Sequence, residues 1–440
     1  MVKKNTKESK LSKRTWIVIA LLFLLTAISN IDKAVIGFAS VPIMKELGLT
    51  PEQWGLVGSV FFLLYSLSAV FGGVLADKYG TRIVIAGMVV LWCLIQFSTL
   101  FVSSFAFLLI TRILLGMGEG PSYSLAMTAA SKWLPKEKRG VGLSIVSIGS
   151  PLGVAISAPI LLNLITNYGW RSAFVATGVV GVIWIAAWLW VVKAKDDSKG
   201  KVDAKEDLAK EDYDQLEAQP ESGFLSFLLS KNFILIALCG FATYWAFTMG
   251  LNWIPNYLEN VLQLSADKLQ IVVAFPWILI TVSLLSFSFI SDRLFHKTKS
   301  VVKGRVFVLC PVLLAGAVCY FFGAMATSSS LAIVLLSLGL TFGVITMVLG
   351  PATLIELAPK KHQGKVQGWF MAFTSLGGIV GPYVTGYLVE NSSSAATGFH
   401  YAFQLCALIL LIAGGLGVVG IRPKKVEKPT TIYTNQIKKV

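Results

Sequence analysis

Two short stretches place ionisable side chains where the surrounding chain is apolar. "FLLTAISNIDKAVIGFA", residues 23 to 39, holds Asp32 and Lys33 side by side, and "RILLGMGEGP", residues 112 to 121, holds Arg112 and, seven positions on, Glu119. In a membrane-spanning helix each such charge costs about 2.5 to 3.5 kcal/mol on insertion scales, so the four must face protein, where intramembrane ionisable groups usually mark pathways. A guanidinium is a planar fork that fits a carboxylate, which makes Arg112 the best anion ligand and Lys33 a second cationic site of looser geometry. Glu119, set among "LLGMGEGP", is the candidate proton carrier. Asp32, beside Lys33 and expected to face Arg112, would take a proton when an arriving anion competes for those cations.

These residues need a scaffold that crosses a bilayer, and composition supplies one. Of 440 residues 55% are hydrophobic and 14% charged, against about 25% charged in soluble domains. Runs long enough to span, about 20 residues each, start near Trp16, Trp54, Ile83, Phe105, Val141, Ser172, Phe233, Leu269, Val306, Leu331, Val366 and Tyr401. The expected fold is therefore an all-α membrane protein of twelve transmembrane helices. Of 38 Lys and Arg, 33 fall in the amino terminus, the even-to-odd connections and the tail, which predicts cytoplasmic termini and a multi-pass protein of the cell membrane. The net charge of +15 is then a topology signal; no soluble basic face exists for nucleic acid. The five cysteines lie in predicted spans and suit packing rather than disulfides or zinc, and no metal or cofactor site is expected. No catalytic nucleophile with a base appears, so an enzyme is not expected.

Depth follows from the helical rise. Asp32 lies roughly 9 Å below the outer surface on the first span and Arg112 roughly 10 Å below it on the fourth, with Glu119 about 10 Å further in on nearly the same face. The chain divides into a tail (1–15), a six-span unit (16–192), a charged linker (193–231) too poor in apolar residues to fold alone, a second six-span unit (232–421) and a tail (422–440). The units repeat one another: "GGVLADKYGTR" after the second span is answered by "SFSFISDRLFHK" after the eighth, and "WLPKEKRGVG" after the fourth by "LAPKKHQGKVQG" after the tenth. Two pseudo-symmetric six-helix bundles with a site between them near the midplane are what such duplication builds.

"GGVLADKYGTR" resembles the loop signature of the major facilitator superfamily, Gly-x-x-x-Asp-Arg/Lys-x-Gly-x-Arg. "ISNIDKAVIGFASVPIMKELGLTPEQWGLVGSVFFLLYSL", "RILLGMGEGPSYSLAMTAASKWLPKEKRG", "NWIPNYL" and "GGIVGPYVTGYL" are similar to its anion:cation symporter family, which includes bacterial hexuronate, galactonate and glucarate carriers and the vesicular glutamate and sialic acid carriers. The resemblance implies proton-coupled uptake of a small organic anion, most simply a sugar acid, by alternating access in a monomer, driven by the proton gradient without a cofactor. It also implies the roles given above to Asp32, Lys33, Arg112 and Glu119. Two departures stand out: Lys33 replaces the usual Arg, and Asn30 stands where relatives have Tyr. Export, or sodium in place of protons, is the alternative; "GSPLGVAISAP" on the fifth span matches the exporter pattern poorly and favours import.

The second half carries no comparable buried charge. Asn30 in the first half and Tyr244, Asn252, Trp253, Thr374 and Ser375 in the second are the candidates for binding substrate hydroxyls. Asp77, Lys78, Arg82 and Arg139, with the repeat counterparts Asp292 and Arg293, are expected to form ion pairs that hold the inner side shut.

Overall fold

The computed structural model describes residues 12–135, 138–193, 224–359 and 362–422, apart from the side chains at positions 70, 73 and 77. The described part of the chain is helical with no strand. Twelve crossings follow in order: span 1 (Lys13–Phe38), span 2 (Pro51–Tyr79), span 3 (Thr81–Ser98), span 4 (Phe105–Glu119 and Ser122–Trp133), span 5 (Arg139–Tyr168), span 6 (Trp170–Val191), span 7 (Lys231–Asn252), span 8 (Ala266–Thr298), span 9 (Phe307–Ala324, entered through a π turn at Val302–Val306), span 10 (Ser329–Gly343 and Thr346–Leu357), span 11 (Gln363–Glu390) and span 12 (Ala395–Gly420). Most of the linker lies outside the described residues.

Local chemistry sets many of the helix starts. Ser12, Ser104, Ser230 and Ser394 each accept a hydrogen bond from a first-turn amide, and Thr50 with Gln53 forms a reciprocal capping box behind Pro51, satisfying amides that have no intrahelical acceptor. Spans 4 and 10 are each broken midway, at Gly120–Pro121 and at Val344–Ile345, as expected of a repeat. Among the described residues nine helices are apolar and long enough to cross a bilayer on those criteria alone; spans 2, 4 and 11 are the remainder. Spans 2 and 11 face each other across the two bundles, and span 4 carries Arg112 and Glu119.

Both described chain ends lie on one side, the terminal side. On the far side the bundles close with backbones in near contact. A Cβ on Gly37 would lie 1.7 Å from the Leu251 carbonyl oxygen, one on Gly55 2.5 Å from that of Pro382, and one on Gly386 2.3 Å from that of Pro51. Across the same seam Tyr383 Oη donates to Glu52 Oε1 at 2.6 Å, and the Glu52 amide donates to Glu390 Oε2 at 2.8 Å. Deeper in, Ser66 donates to Ser375 at 2.5 Å. Towards the terminal side the bundles part around a cavity of about 470 Å³, which reaches from Lys33 to Asp292 and Arg305 near the ends of spans 8 and 9.

The far-side loops are clamped by one ion pair. Arg171 Nη2 lies 2.7 Å from Glu46 Oε1, Trp170 Nε1 donates to Glu46 Oε2 at 2.7 Å, and Arg171 also donates to the Val102 carbonyl at 2.6 Å.

Two outcomes are expected. Gly37→Ala leaves no room for the far-side seal, so spin labels on the far ends of spans 2 and 11 should report a longer separation; an unchanged distance distribution would mean that the backbone absorbs the methyl locally. The Arg171 hydrogen bond holds the Glu46 carboxyl below its ordinary value of 4.5. A carboxyl depressed on folding stabilises above its unfolded pKa, and that contribution disappears as pH falls through the folded one. Arg171→Gln should therefore lower thermal stability at pH 7 by up to about 1 kcal/mol, as expected of a partly exposed pair, and the gap to the parent protein should close as pH drops below 4.5.

Candidate functional site

Asp32 and Lys33 are adjacent in sequence yet serve different neighbours. Consecutive helical residues diverge around the axis, and a helical side chain slants back toward its own N-terminus. Lys33 Nζ accordingly reaches one turn back, donating to the Ser29 carbonyl at 3.0 Å and to Ser29 Oγ at 2.6 Å, and meets Glu119 Oε2 at 2.6 Å. Ser29 Oγ donates to the same carboxylate oxygen at 3.2 Å and lies 3.1 Å from Ser122 Oγ. The Tyr65 ring covers the ammonium, with its centroid 5.2 Å away.

Asp32 turns the other way, toward Gln96 of span 3, Thr177 of span 6 and Arg112 of span 4. Arg112 lies over the Phe174 ring at 5.4 Å and forms no salt bridge among the described residues. Asp32 Oδ1, Arg112 Nε and Nη2, Glu119 Oε1 and both amide atoms of Gln96 are buried without a hydrogen-bond partner. Unsatisfied buried polar atoms cost about 1 to 3 kcal/mol each, so their concentration here is a reservoir for a ligand, water or proton. Span 4 holds its place because Gly116 and Gly120 let it approach span 2 closely: a Cβ on either would lie 2.1 Å from the carbonyl oxygen of Phe61 or Tyr65.

The expected site residues separate into groups. Asn30, Lys33, Tyr244 and Thr374 line the large cavity; Asn30 donates to Ser150 Oγ at 2.9 Å. Asp32, Arg112 and Asn252, together with Lys33, line a second void of about 10 Å³. Ser375 lies in the interface with Ser66 rather than in either space. Trp253 lines neither space: it is fully buried against Phe399, with Nε1 donating to the Pro382 carbonyl at 3.1 Å.

The residues expected to form the inner gate have other partners in this conformation, in which the bundles are parted on that side. Lys78 lies over Tyr79 at 5.1 Å, Arg82 donates to the Val192 carbonyl and to that of Leu189 at 3.1 Å, and Arg139 donates to the carbonyls of Ser131 and Leu134. The side chain of Asp77 lies outside the described residues. In the second half Asp292 pairs at 2.5 Å with Arg305, which also approaches Glu356 at 3.9 Å, while Arg293 is exposed. Sequence reasoning missed Arg305, although "KGR" before span 9 repeats "GTR" before span 3. It also missed Ser29 and Ser122, whose only signal is that Ser29 precedes Lys33 by one helical turn.

Comparison with known proteins agrees with this architecture. A family model described as Major Facilitator Superfamily matches residues 22–349 and 303–436. A hexuronate transporter of Bacillus subtilis is 30% identical over 91% of this chain and 92% of its own, and a probable sulfoacetate transporter of Cupriavidus necator is 28% identical over 93% and 94%. A D-galactonate transporter of Escherichia coli is 26% identical over 92% and 95%. Among solved structures, a D-xylose–proton symporter superposes with a TM-score of 0.75 at 15% identity, covering 93% of this chain and 98% of that one.

Removing one partner of a buried ion pair costs about 3 to 5 kcal/mol, whereas replacing both can be neutral. Lys33→Met should therefore destabilise the detergent-purified protein more than the double variant Lys33→Met/Glu119→Gln. Equal losses from the single and double variants, read by thermal unfolding at pH 7.5, would show that Glu119 does not depend on Lys33.

Proposed function

The chain belongs to the major facilitator superfamily, and we propose that it carries a small organic anion, a sugar acid or similar carboxylate, across the cell membrane together with protons by alternating access. The observation that carries this reading is Arg112, a buried guanidinium with two unpartnered nitrogens beside the unpartnered oxygen of Asp32. A carboxylate offers those nitrogens two acceptors in one plane. The printed functions of the relatives, carriers of hexuronate, sulfoacetate and D-galactonate, point to the same ligand class and to no enzyme. The cavity suits a polyhydroxylated body: Ser29, Asn30, Ser147, Tyr244 and Thr374 line it among apolar walls.

Charge balance supports coupling. With Asp32 and Glu119 ionised, Lys33 and Arg112 are neutralised, and an arriving anion would leave an uncompensated buried charge, which is expensive. Protonating Glu119 frees Lys33 Nζ, now 2.6 Å from its carboxylate; protonating Asp32 frees Arg112. Anion and proton then enter together because each lowers the cost of the other. The distribution of Lys and Arg supports a cytoplasmic terminal side, and on that reading the open cavity faces inward.

Arg112→Ala should abolish hexuronate binding while leaving the protein folded, and Arg112→Lys should restore it only partly because the fork is lost; unchanged affinity in Arg112→Ala would remove the ligand role. Glu119→Gln should exchange labelled for unlabelled substrate in proteoliposomes yet fail to accumulate it under an imposed pH gradient. Accumulation with parental pH dependence would leave Asp32 as the coupling group, and accumulation that follows a sodium gradient instead would replace the proton as the driving ion.

A further inference from the structure

We propose that the ring of Phe62 is the partition an anion must displace to pass between Arg112 and the terminal-side cavity. The proposal rests on the reading of Arg112 as the anion's ligand and assigns the residue that controls access to it.

The two spaces are separate in this conformation. Arg112 lines the small void and not the large cavity; the void's volume of about 10 Å³ is room for one water at most and too little for a carboxylate. Two side chains line both that void and the 470 Å³ cavity, Lys33 and Phe62. Lys33 is fixed by its ion pair with Glu119 and its two hydrogen bonds to Ser29. The Phe62 side chain is held by apolar packing without any hydrogen bond, its ring edge-on to Phe61 at 5.0 Å, Tyr65 at 5.8 Å and, across the bundle interface, Tyr244 at 6.3 Å. Ring contacts are individually weaker than a buried ion pair reinforced by hydrogen bonds, so this half of the wall yields first.

The opposite bundle is cut to receive the ring. A Cβ on Gly378 of span 11 would lie 2.9 Å from Phe62 Cγ, so the ring seats in a notch that only glycine leaves open. Besides Asp32 and Phe61, the remaining walls of the void are Ile36, Val57, Gly58, Leu251 and Asn252, which belong to the far-side seal or lie just beneath it. An anion arriving from the far side would therefore meet Arg112 first, and the Phe62 ring would be the last obstacle before the cavity. Because the ring spans the bundle interface, rocking of the bundles moves the notch away from it, which ties its release to the conformational cycle.

The test places a reporter in the void at a position that itself carries no charge. Val57→Cys, at a fully buried position, is treated with a small membrane-impermeant methanethiosulfonate in vesicles presenting the terminal face, and labelling of the protein that retains Val57 is subtracted. With Phe62 in place, modification should be slow. Phe62→Ala should raise the rate by about tenfold or more, as for removal of a local barrier, and Phe62→Leu, which keeps most of the apolar volume and guards against a folding failure, should fall between. An unchanged rate in both variants overturns the proposal, since the void would then open only to the far side. A hexuronate should slow the modification in Val57→Cys/Phe62→Ala, and that protection should vanish on adding Arg112→Ala. Faster labelling without such protection would retain the partition and overturn the anion-ligand reading on which its purpose rests.

Discussion

The organisation of this molecule depends on keeping four ionisable side chains out of water without letting any of them stand alone. Lys33 and Glu119 meet at 2.6 Å, with Ser29 bonded to both, whereas Arg112 and Asp32 remain only partly satisfied. A helix in lipid bears no unpaired charge cheaply, so spans 1 and 4 must sit inside the first bundle. Span 4 also needs glycine contacts with span 2 to bring Arg112 and Glu119 to the right depth. The second bundle contributes walls, hydroxyls and the far-side seal, and its charges that line the cavity, Asp292 and Arg305, are paired with each other.

The asymmetry between the two pairs has a mechanical consequence. A closed ion pair is stable in either direction of access, because its partners need nothing from outside. An open pair with orphaned donors is held only while water or a ligand can reach it or a barrier shields it. Lys33 lies at the boundary of both spaces, and its release from Glu119 by a proton would change the affinity of the site and the shape of its wall together. Glycine-lined backbone contacts on the far side and parted helices on the terminal side give the protein one of the two arrangements that alternating access requires.

Much of this was legible in the chain. Twelve crossings, their order and the twofold repeat follow from hydropathy and from paired loops, because every spanning backbone must satisfy its own hydrogen bonds within a helix. The seven-residue spacing that sets Arg112 and Glu119 two turns apart on span 4 follows from helix geometry. Partner choice was not legible: Lys33 bonds Glu119 and not its neighbour Asp32, since side-chain direction on a helix outweighs sequence adjacency. Trp253 could not be separated from cavity-lining aromatics by type, and its burial against Phe399 is visible only once the helices are packed. Arg305 was hidden by a longer loop that displaces it from the position that Arg82 holds in the first repeat.

The central claim is that anion and proton occupy this site together, and proton uptake on binding measures it most directly. Titration calorimetry of the purified protein with a hexuronate, run at pH 7.5 in two buffers of different ionisation enthalpy, counts the protons taken up per anion bound. The account predicts net uptake approaching about one proton, reduced or abolished in Glu119→Gln although that variant still binds. Binding with no proton uptake in the parent protein, or with uptake unchanged in Glu119→Gln and Asp32→Asn, would contradict it.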